Sequence, residues 1–473
     1  MRKIFSNILI LCLILTAPVL AWSRPATLTA PDSLSYPALH FKPPQVDRTV
    51  LPNGVVIYLL EDHELPLVKV HALIKTGGYF DPEGKEGLAE LTGLLMRTGG
   101  TETMTGSQVD ETLEKLAIDI DISTRMESCA VGFSSLKDNL PQGIEILAQI
   151  LRRPIFAEDK LQLAKNLKLE ELKRIADDPQ QFAFREFNRV LYRGDPRGRL
   201  PSLPSIKNIS RDDLRRFYGQ YFNPDNLMLA VTGDVGKEEA LAALQRYFGD
   251  WPARNIAAEI PPPAESAGGS IYFLPKDVPQ SVIIAGNLAP AKNSADFYPF
   301  TVLDFLLGGG GFRSRLFQEI RTDQGLAYSV GSFYMGRSKY GVFGSYALTK
   351  SNSTGKVLAL LSSLTEGFGK KPLQAAELSW AIKSINNKFI FSFSSSDQIA
   401  RQQMMLEFEK LSRDYLLTYQ DKISKVGSKD IERVAGRYLT AGRRLVLVLG
   451  KEKDFDQPLA NFGTVERLKV END

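Results

Sequence analysis

SRDDLRRFYGQYFNPDNLMLAVTGD, Ser210 to Asp234, and SKDIERVAGRYLTAGRRLVLVLGKE, Ser428 to Glu452, repeat one pattern. Each carries apolar residues at helical spacing, an aromatic or leucine pair where the helix ends, a polar turn, and an apolar strand that stops at glycine. Tyr221 falls opposite Tyr438, and Gly233 opposite Gly450. A pattern that recurs in this way marks a repeated structural unit, so the chain is read as two halves.

Working back from these closing segments, the openings of the halves also correspond. LPLVKVHALIKTGG (residues 65–78) matches VPQSVIIAGNLAP (278–290) as a strand, and GLAELTGLLMRTGG (87–100) matches FYPFTVLDFLLGGG (297–310) as a helix closing on glycines. SQVDETLEKLA (107–117) corresponds to SRLFQEIRTDQGLA (314–327), with Ser107 placed to cap the first of these helices and Asp110 and Glu111 near its positive end. Two strands with period-two alternation follow in each half, IDIDIST with SCAVGFSSL and AYSVGSFYM with YGVFGSYAL, and then a long helix. Strands followed by helices, twice over, give an α+β fold: two homologous domains, each an antiparallel or mixed sheet with helices on one face.

The stretch GDWPARNIAAEIPPPAESAGGS, residues 249–270, reads as a solvated linker because prolines, glycines and small residues dominate it. It separates an N-terminal domain at 22–248 from a C-terminal domain at 271–473. Ahead of both, MRKIFSNILILCLILTAPVLAWS places Arg2 and Lys3 before an apolar run, with Val19 and Ala21 at the small-residue positions of a cleavage site. That is the pattern of a secretory signal peptide, residues 1–21, and predicts a periplasmic or extracellular protein. The run is shorter than the roughly 20 residues a membrane span prefers, and Pro18 interrupts its end, so no stable span is expected after cleavage.

Lys and Arg number 58 against 55 Asp and Glu, a net charge of +3. No concentrated basic face is visible, and nucleic acid is not an expected partner. Cleavage would leave Cys129 as the only cysteine, so no internal disulfide is available. Cys129 lies in the strand-like MESCAVGFSSL and reads as a small buried residue. No Gly-x-Ser-x-Gly elbow stands elsewhere. The three histidines, His40, His63 and His71, all precede the first candidate site helix, which makes a zinc site private to this chain hard to build.

The chemistry is concentrated in LLGGGGFRSRLFQEIRTDQGLAYSVGSFY, Leu306 to Tyr334. This phrase resembles the second domain of the pitrilysin and mitochondrial-processing-peptidase family, zinc peptidases with an inverted His-x-x-Glu-His motif. In that family an arginine and a tyrosine seven positions on reach toward the zinc site, and Arg321 and Tyr328 match the pair. The resemblance further implies two domains facing each other like a clam shell, and makes Gly308, Gly309, Gly310 and Gly311 a flexible substrate-binding loop. Read as residues alone, those glycines equally suit a helix cap with close packing. No role is assigned to Arg313 or Arg315.

In the first domain, the positions where the family shows its motif hold Glu90, Gly93 and Leu94. Glu171, in KLEELKRIADDP, falls at the spacing of the family's third ligand. Zinc needs imidazole or carboxylate donors, and hydrolysis needs a base for the metal-bound water; glycine and leucine supply neither. The resemblance therefore implies no metal in this chain, and a zinc-bearing homologous subunit as its partner. The chain would be the non-zinc half of an exported metalloendopeptidase acting on peptides or unfolded segments. A tyrosine hydroxyl is a proton donor suited to a developing oxyanion, and arginine adds a forked donor for substrate carbonyls. A catalytically inactive structural or peptide-binding subunit is the alternative.

Overall fold

The computed structural model describes residues 44–254, 259–265 and 268–469. Residues 1–21, read above as a signal peptide, and Cys12 and His40 lie outside the described residues. Among those described, no helix is long and apolar enough to cross a membrane.

Two six-stranded mixed sheets organise the chain. The first holds β1 (Asp47–Val50), β2 (Val56–Glu61), β3 (Leu67–Ile74), β4 (Asp119–Thr124), β5 (Cys129–Leu136) and β6 (Leu227–Gly233), in the order β1-β2-β6-β3-β5-β4. The second holds β7 (Ser270–Pro275), β8 (Gln280–Ala289), β9 (Ala327–Gly336), β10 (Gly341–Lys350), β11 (Leu445–Gly450) and β12 (Thr464–Arg467), in the order β12-β7-β11-β8-β10-β9. Five strands correspond one to one, including the parallel pairs β2–β6 and β7–β11. The sixth does not. β1 joins antiparallel from the start of the described chain, whereas β12 joins parallel from its far end. The two closing segments that reveal the repeat become the helices Arg211–Tyr221 and Ser428–Tyr438, each followed by a central strand.

Local capping differs from expectation at one place. The helix Gly106–Lys115 is capped by Thr105, not Ser107: the Thr105 hydroxyl accepts from the Gln108 N–H at 3.2 Å, and Gln108 Oε1 accepts from the Thr105 N–H at 2.9 Å. This reciprocal box satisfies two orphan donors, which a serine one residue inside the helix does not. Asp110 instead takes Arg97 at 2.7 Å.

Helices of each half cover one face of its own sheet, and the opposite face is closed by a helix from the other half. Pro179–Leu191 lies on β8 and β11, while Ser396–Phe408 lies on β6 and β2. Phe182, Phe187 and Leu191 thereby join Leu274, Ile284 and Leu447 in a core of their own. The Phe187 ring sits over Gly286, where a Cβ would come within 2.8 Å of it. Helices on one face alone would leave β-strand apolar side chains such as Ile284 and Leu447 in water. The two halves consequently form one compact unit.

Polar contacts pin the same junction. The Arg197 guanidinium, its side chain 2% exposed, lies between the rings of Tyr79 and Tyr340 at 4.9 and 4.8 Å. It donates to Glu127 (2.7 Å), Asp195 (2.9 Å) and the Pro261 carbonyl (2.5 Å). Lys339 donates to the Ile260 carbonyl at 3.0 Å, and Ile260 is buried. This part of the expected solvated linker is docked, because the junction's cations draw on its carbonyls.

Glu407 accepts a fork from Arg48 (2.6 and 2.7 Å) and the Tyr58 hydroxyl (2.5 Å), and Asp397 faces His71 at 2.5 Å. The Arg48 bond holds the Glu407 carboxyl below its usual range. Burial opposes ionisation of Asp397, but the His71 bond outweighs it and lowers that carboxyl too. A carboxylate with a depressed folded pKa contributes stability above its unfolded value, about 3.9 for Asp and 4.3 for Glu. That contribution disappears as pH falls through the lower folded value. The urea midpoint is therefore expected to drop on acidification below about pH 4.5, with a shallower drop in Glu407→Gln. Identical pH slopes for both proteins would remove Glu407 from the junction's acid response.

Candidate functional site

In the second half, the helix Phe297–Asp304 continues as a π-helix, Phe305–Gly309, before the glycine run turns the chain. A second π-helical segment, Phe317–Asp323, carries Arg321, where the spacing predicts an ordinary helix. Buried Leu316 and Ile320 hold it to the core. Gly325, with φ +63°, makes the turn into β9, in which Tyr328 is the second residue.

Across that turn Arg321 and Tyr328 converge. Arg321 Nη1 donates to the Tyr328 carbonyl at 2.6 Å. Its guanidinium lies over the Phe317 and Tyr328 rings, 4.8 and 5.1 Å from their centroids. Tyr328 is 78% exposed. The arginine thus anchors the strand start and ring while leaving the phenol accessible, a geometry able to offer O–H and N–H donors to one substrate group.

The glycines are explained by close approach. A Cβ at Gly308 would stand 2.2 Å from the Ser332 nitrogen, one at Gly309 2.7 Å from Asp304 Oδ2, and one at Gly310 2.5 Å from the Phe305 carbonyl. Only Gly311, at φ +69°, has open space. Asp304, which the sequence does not advertise, accepts from the Ser332 hydroxyl at 2.6 Å, and burial pushes its carboxyl up to about 7.

In the first half, Asp81 accepts the N–H groups of Gly87 (2.7 Å) and Ala89 (2.8 Å) and so begins the helix Leu88–Thr98, which bears Glu90, Gly93 and Leu94. Burial pushes the Asp81 carboxyl up to about 7. Glu171, on the helix Glu158–Arg174, lies near Glu90 through a shared neighbour. The group between them is Lys168, whose Nζ lies 2.8 Å from Glu90 Oε1 and 3.0 and 3.1 Å from the Glu171 oxygens. Burial opposes its charge, but the two carboxylates outweigh it and raise its pKa. An ammonium therefore stands between the two carboxylates, and sequence reasoning missed it. The available signal was the Lys168/Glu171 spacing, which places both on one helix face.

These residues do not fit zinc. Both carboxylates are bound to Lys168, Leu94 has no donor, and a Cβ at Gly93 would lie 2.2 Å from Thr124 Oγ1. Among the described residues no group of three or more His, Cys, Asp or Glu is placed to hold a metal. His63 is instead an exposed side chain paired with Asp234 at 2.6 Å. Cys129 is fully buried, and burial pushes its thiol up to about 11, which fits a packing role rather than a nucleophile. Writing the motif back, with Glu90→His, Gly93→Glu and Leu94→His, is expected to give at best weak zinc binding. The glutamate must displace Thr124, Lys168 keeps its charge in place, and no neighbouring group is arranged to orient the new imidazoles. Zinc titration checks this; tight stoichiometric binding with efficient turnover would contradict it.

Fold and site together define a two-half peptidase-like chain whose first half lacks the donors for zinc and whose second half presents an arginine–tyrosine pair. Two family models match it: insulinase (peptidase family M16) over residues 56–202, and the peptidase M16 inactive domain over residues 208–385. The chain belongs to peptidase family M16, and is a peptidase-like member of the inactive type. It is 26% identical over 367 residues to an uncharacterized zinc protease of Rickettsia bellii, covering 77% of this chain and 86% of that one. It is 29% identical over 327 residues to the non-peptidase homolog YmxG of Helicobacter pylori, covering 68% and 75% respectively. A crystal structure of a peptidase M16 inactive domain from Pseudomonas fluorescens has the same fold, with a TM-score of 0.80 at 22% identity over 88% of this chain and 99% of that one. A protease from Helicobacter pylori gives 0.76 at 21% identity, over 86% of this chain and 100% of that one.

Proposed function

We propose that this chain is the non-zinc subunit of an exported two-component zinc metalloendopeptidase. One observation carries the reading: Arg321 is fixed against an exposed Tyr328, while Lys168 ties up Glu90 and Glu171 in the first half. The zinc, the base and the attacking water come from a homologous partner with a complete His-x-x-Glu-His motif. This chain supplies a phenol for the oxyanion, a guanidinium for substrate carbonyls and a wall of the cleft. Substrates are peptides or unfolded segments, and Gly311 beside Phe312 borders the same surface. The reading of export rests on the Met1 to Ser23 pattern.

The test is reconstitution. The chain alone is expected to bind no stoichiometric zinc and to cleave nothing, whereas the pair cleaves peptides with zinc in the partner. About one zinc per isolated chain, lost together with activity on chelation, would overturn the proposal. A second reading, a structural or peptide-binding subunit of an envelope complex, draws on the Lys168 ion pairs that close the old metal position. It predicts a stable complex whose activity ignores Tyr328.

A further inference from the structure

We infer that Asp304 is a positioning residue that clamps the glycine turn Gly308–Gly311 onto β9 through Ser332, and that loss of the Asp304 proton loosens the clamp. The proposed function enters only in giving that turn a place beside the substrate. The turn lies directly on the strand: a Cβ at Gly308 would meet the Ser332 nitrogen and hydroxyl oxygen at 2.2 and 2.6 Å. One side-chain contact ties the two. The Ser332 hydroxyl donates to Asp304 Oδ1 at 2.6 Å and stands 3.2 Å from the Asp304 carbonyl. Beyond Asp304 the π-helical residues Phe305–Gly309 close with the Gly310 N–H on the Phe305 carbonyl at 2.8 Å. In the first copy of the repeat the matching position is Leu94, so the shared fold does not demand a carboxyl there.

Little around this carboxyl stabilises its charged form. Asp304 ends the stretch Phe297–Asp304, where a negative charge opposes the helix dipole, and its side-chain donor is a neutral hydroxyl. The elements packed on this helix bring no counter-charge to it. β9 contributes the Tyr334 phenol, and Ser428–Tyr438 contributes Arg433, Arg437 and Tyr438, all bonded to Asp296. Tyr415–Ser424 contributes Tyr415, Tyr419 and Lys422, which lie against Phe297 and Tyr298. Ala375–Ile390 contributes Glu377, bonded to Arg315, and Trp380, beneath Arg313. Asp304 as a whole is part-exposed, but its Oδ2 is packed under Gly309, which is exposed, so a small lift of the turn admits water to the anion. The docked turn therefore favours the neutral acid. With the carboxyl at about 7 when docked and near 3.9 when released, the balance shifts toward release about tenfold per pH unit between those values and levels off above them. The sign is opposite to that of the junction carboxylates, whose contribution is lost on acidification.

The experiment is hydrogen–deuterium exchange of the full chain, without partner or zinc, from about pH 5 to about pH 8. Mass spectrometry reads the peptide that contains the Gly310 amide, each rate being divided by the intrinsic rate at that pH. Protection is expected to fall on the order of tenfold per pH unit up to about pH 7 and then to level off. Asp304→Asn, which keeps the shape and cannot ionise, should hold one protection throughout. Ser332→Ala removes the donor to the anion and should carry the fall to higher pH, a shift that packing alone would not produce. Equal slopes in the parent and Asp304→Asn overturn the inference, as does a window that Ser332→Ala leaves in place. A fall shared by the helix Ser428–Tyr438 would overturn it too, by making the opening a global one. Neither turnover nor a partner is measured, so the clamp and the proposed catalytic pair stand or fail separately.

Discussion

Replacing Tyr328 by phenylalanine is expected to lower turnover by the proposed zinc-partnered complex about 100-fold or more, with association and zinc content unchanged; removing one oxyanion donor costs about 2.7–4 kcal/mol. The substitution deletes one hydroxyl from a side chain that is 78% exposed, so the folded state has almost nothing to lose. A packing role for Tyr328 therefore predicts no change, and the two explanations separate cleanly. Arg321→Ala should also weaken substrate binding, since it removes several donors and the anchor on the Tyr328 carbonyl. Steady-state peptide cleavage by the reconstituted pair measures both. Unchanged kinetics for Tyr328→Phe would move the chain to the structural reading.

Arg197→Ala is expected to destabilise the folded chain by about 3–5 kcal/mol, the range for breaking a buried ion pair by deleting one partner. The deletion strands Glu127 and Asp195, opens the gap between the Tyr79 and Tyr340 rings, and releases the Pro261 carbonyl. Arg337 stands 3.8 Å from Glu127 and offsets part of the loss at the rim. Arg197→Lys should fall between the parent and the alanine variant, because an ammonium keeps the charge but neither the fork nor the stacked plane. Chemical denaturation reads both. A loss under about 1 kcal/mol for the alanine variant would mean that Arg197 contributes little to the junction.

Much of this architecture was legible in the chain because it is written in periodicity. The repeated helix–turn–strand at Ser210 and Ser428 depends on local apolar spacing, and both copies form where that spacing puts them. The arginine–tyrosine pair was singled out by the family resemblance of the phrase around it, since its spacing alone equally suits a helix end and a strand start; the turn between the two residues does bring them together. The cap at Thr105 was missed by two residues, because several hydroxyls in that turn can serve and only the reciprocal bond to Gln108 selects one. The π-helical turn Phe305–Gly309 was not legible, since it goes with the close approach of Gly308 to Ser332, a contact between residues far apart along the chain.

The amino-acid sequence by itself determined that the chain repeats, that each repeat is strands then helices, and that Glu90, Gly93 and Leu94 stand where the family resemblance would put metal ligands. These are properties of neighbours along the chain or of side-chain chemistry, and no partner is needed to establish them. Only the tertiary structure decided what stands between Glu90 and Glu171 and what joins the halves. Lys168 reaches Glu90 at a sequence separation of 78, and Arg48 reaches Glu407 at 359. Contacts over such distances leave no periodic mark, because any lysine or arginine of the right reach would look the same in sequence. Their geometry exists only once both sheets are formed and each has received a helix from the other half.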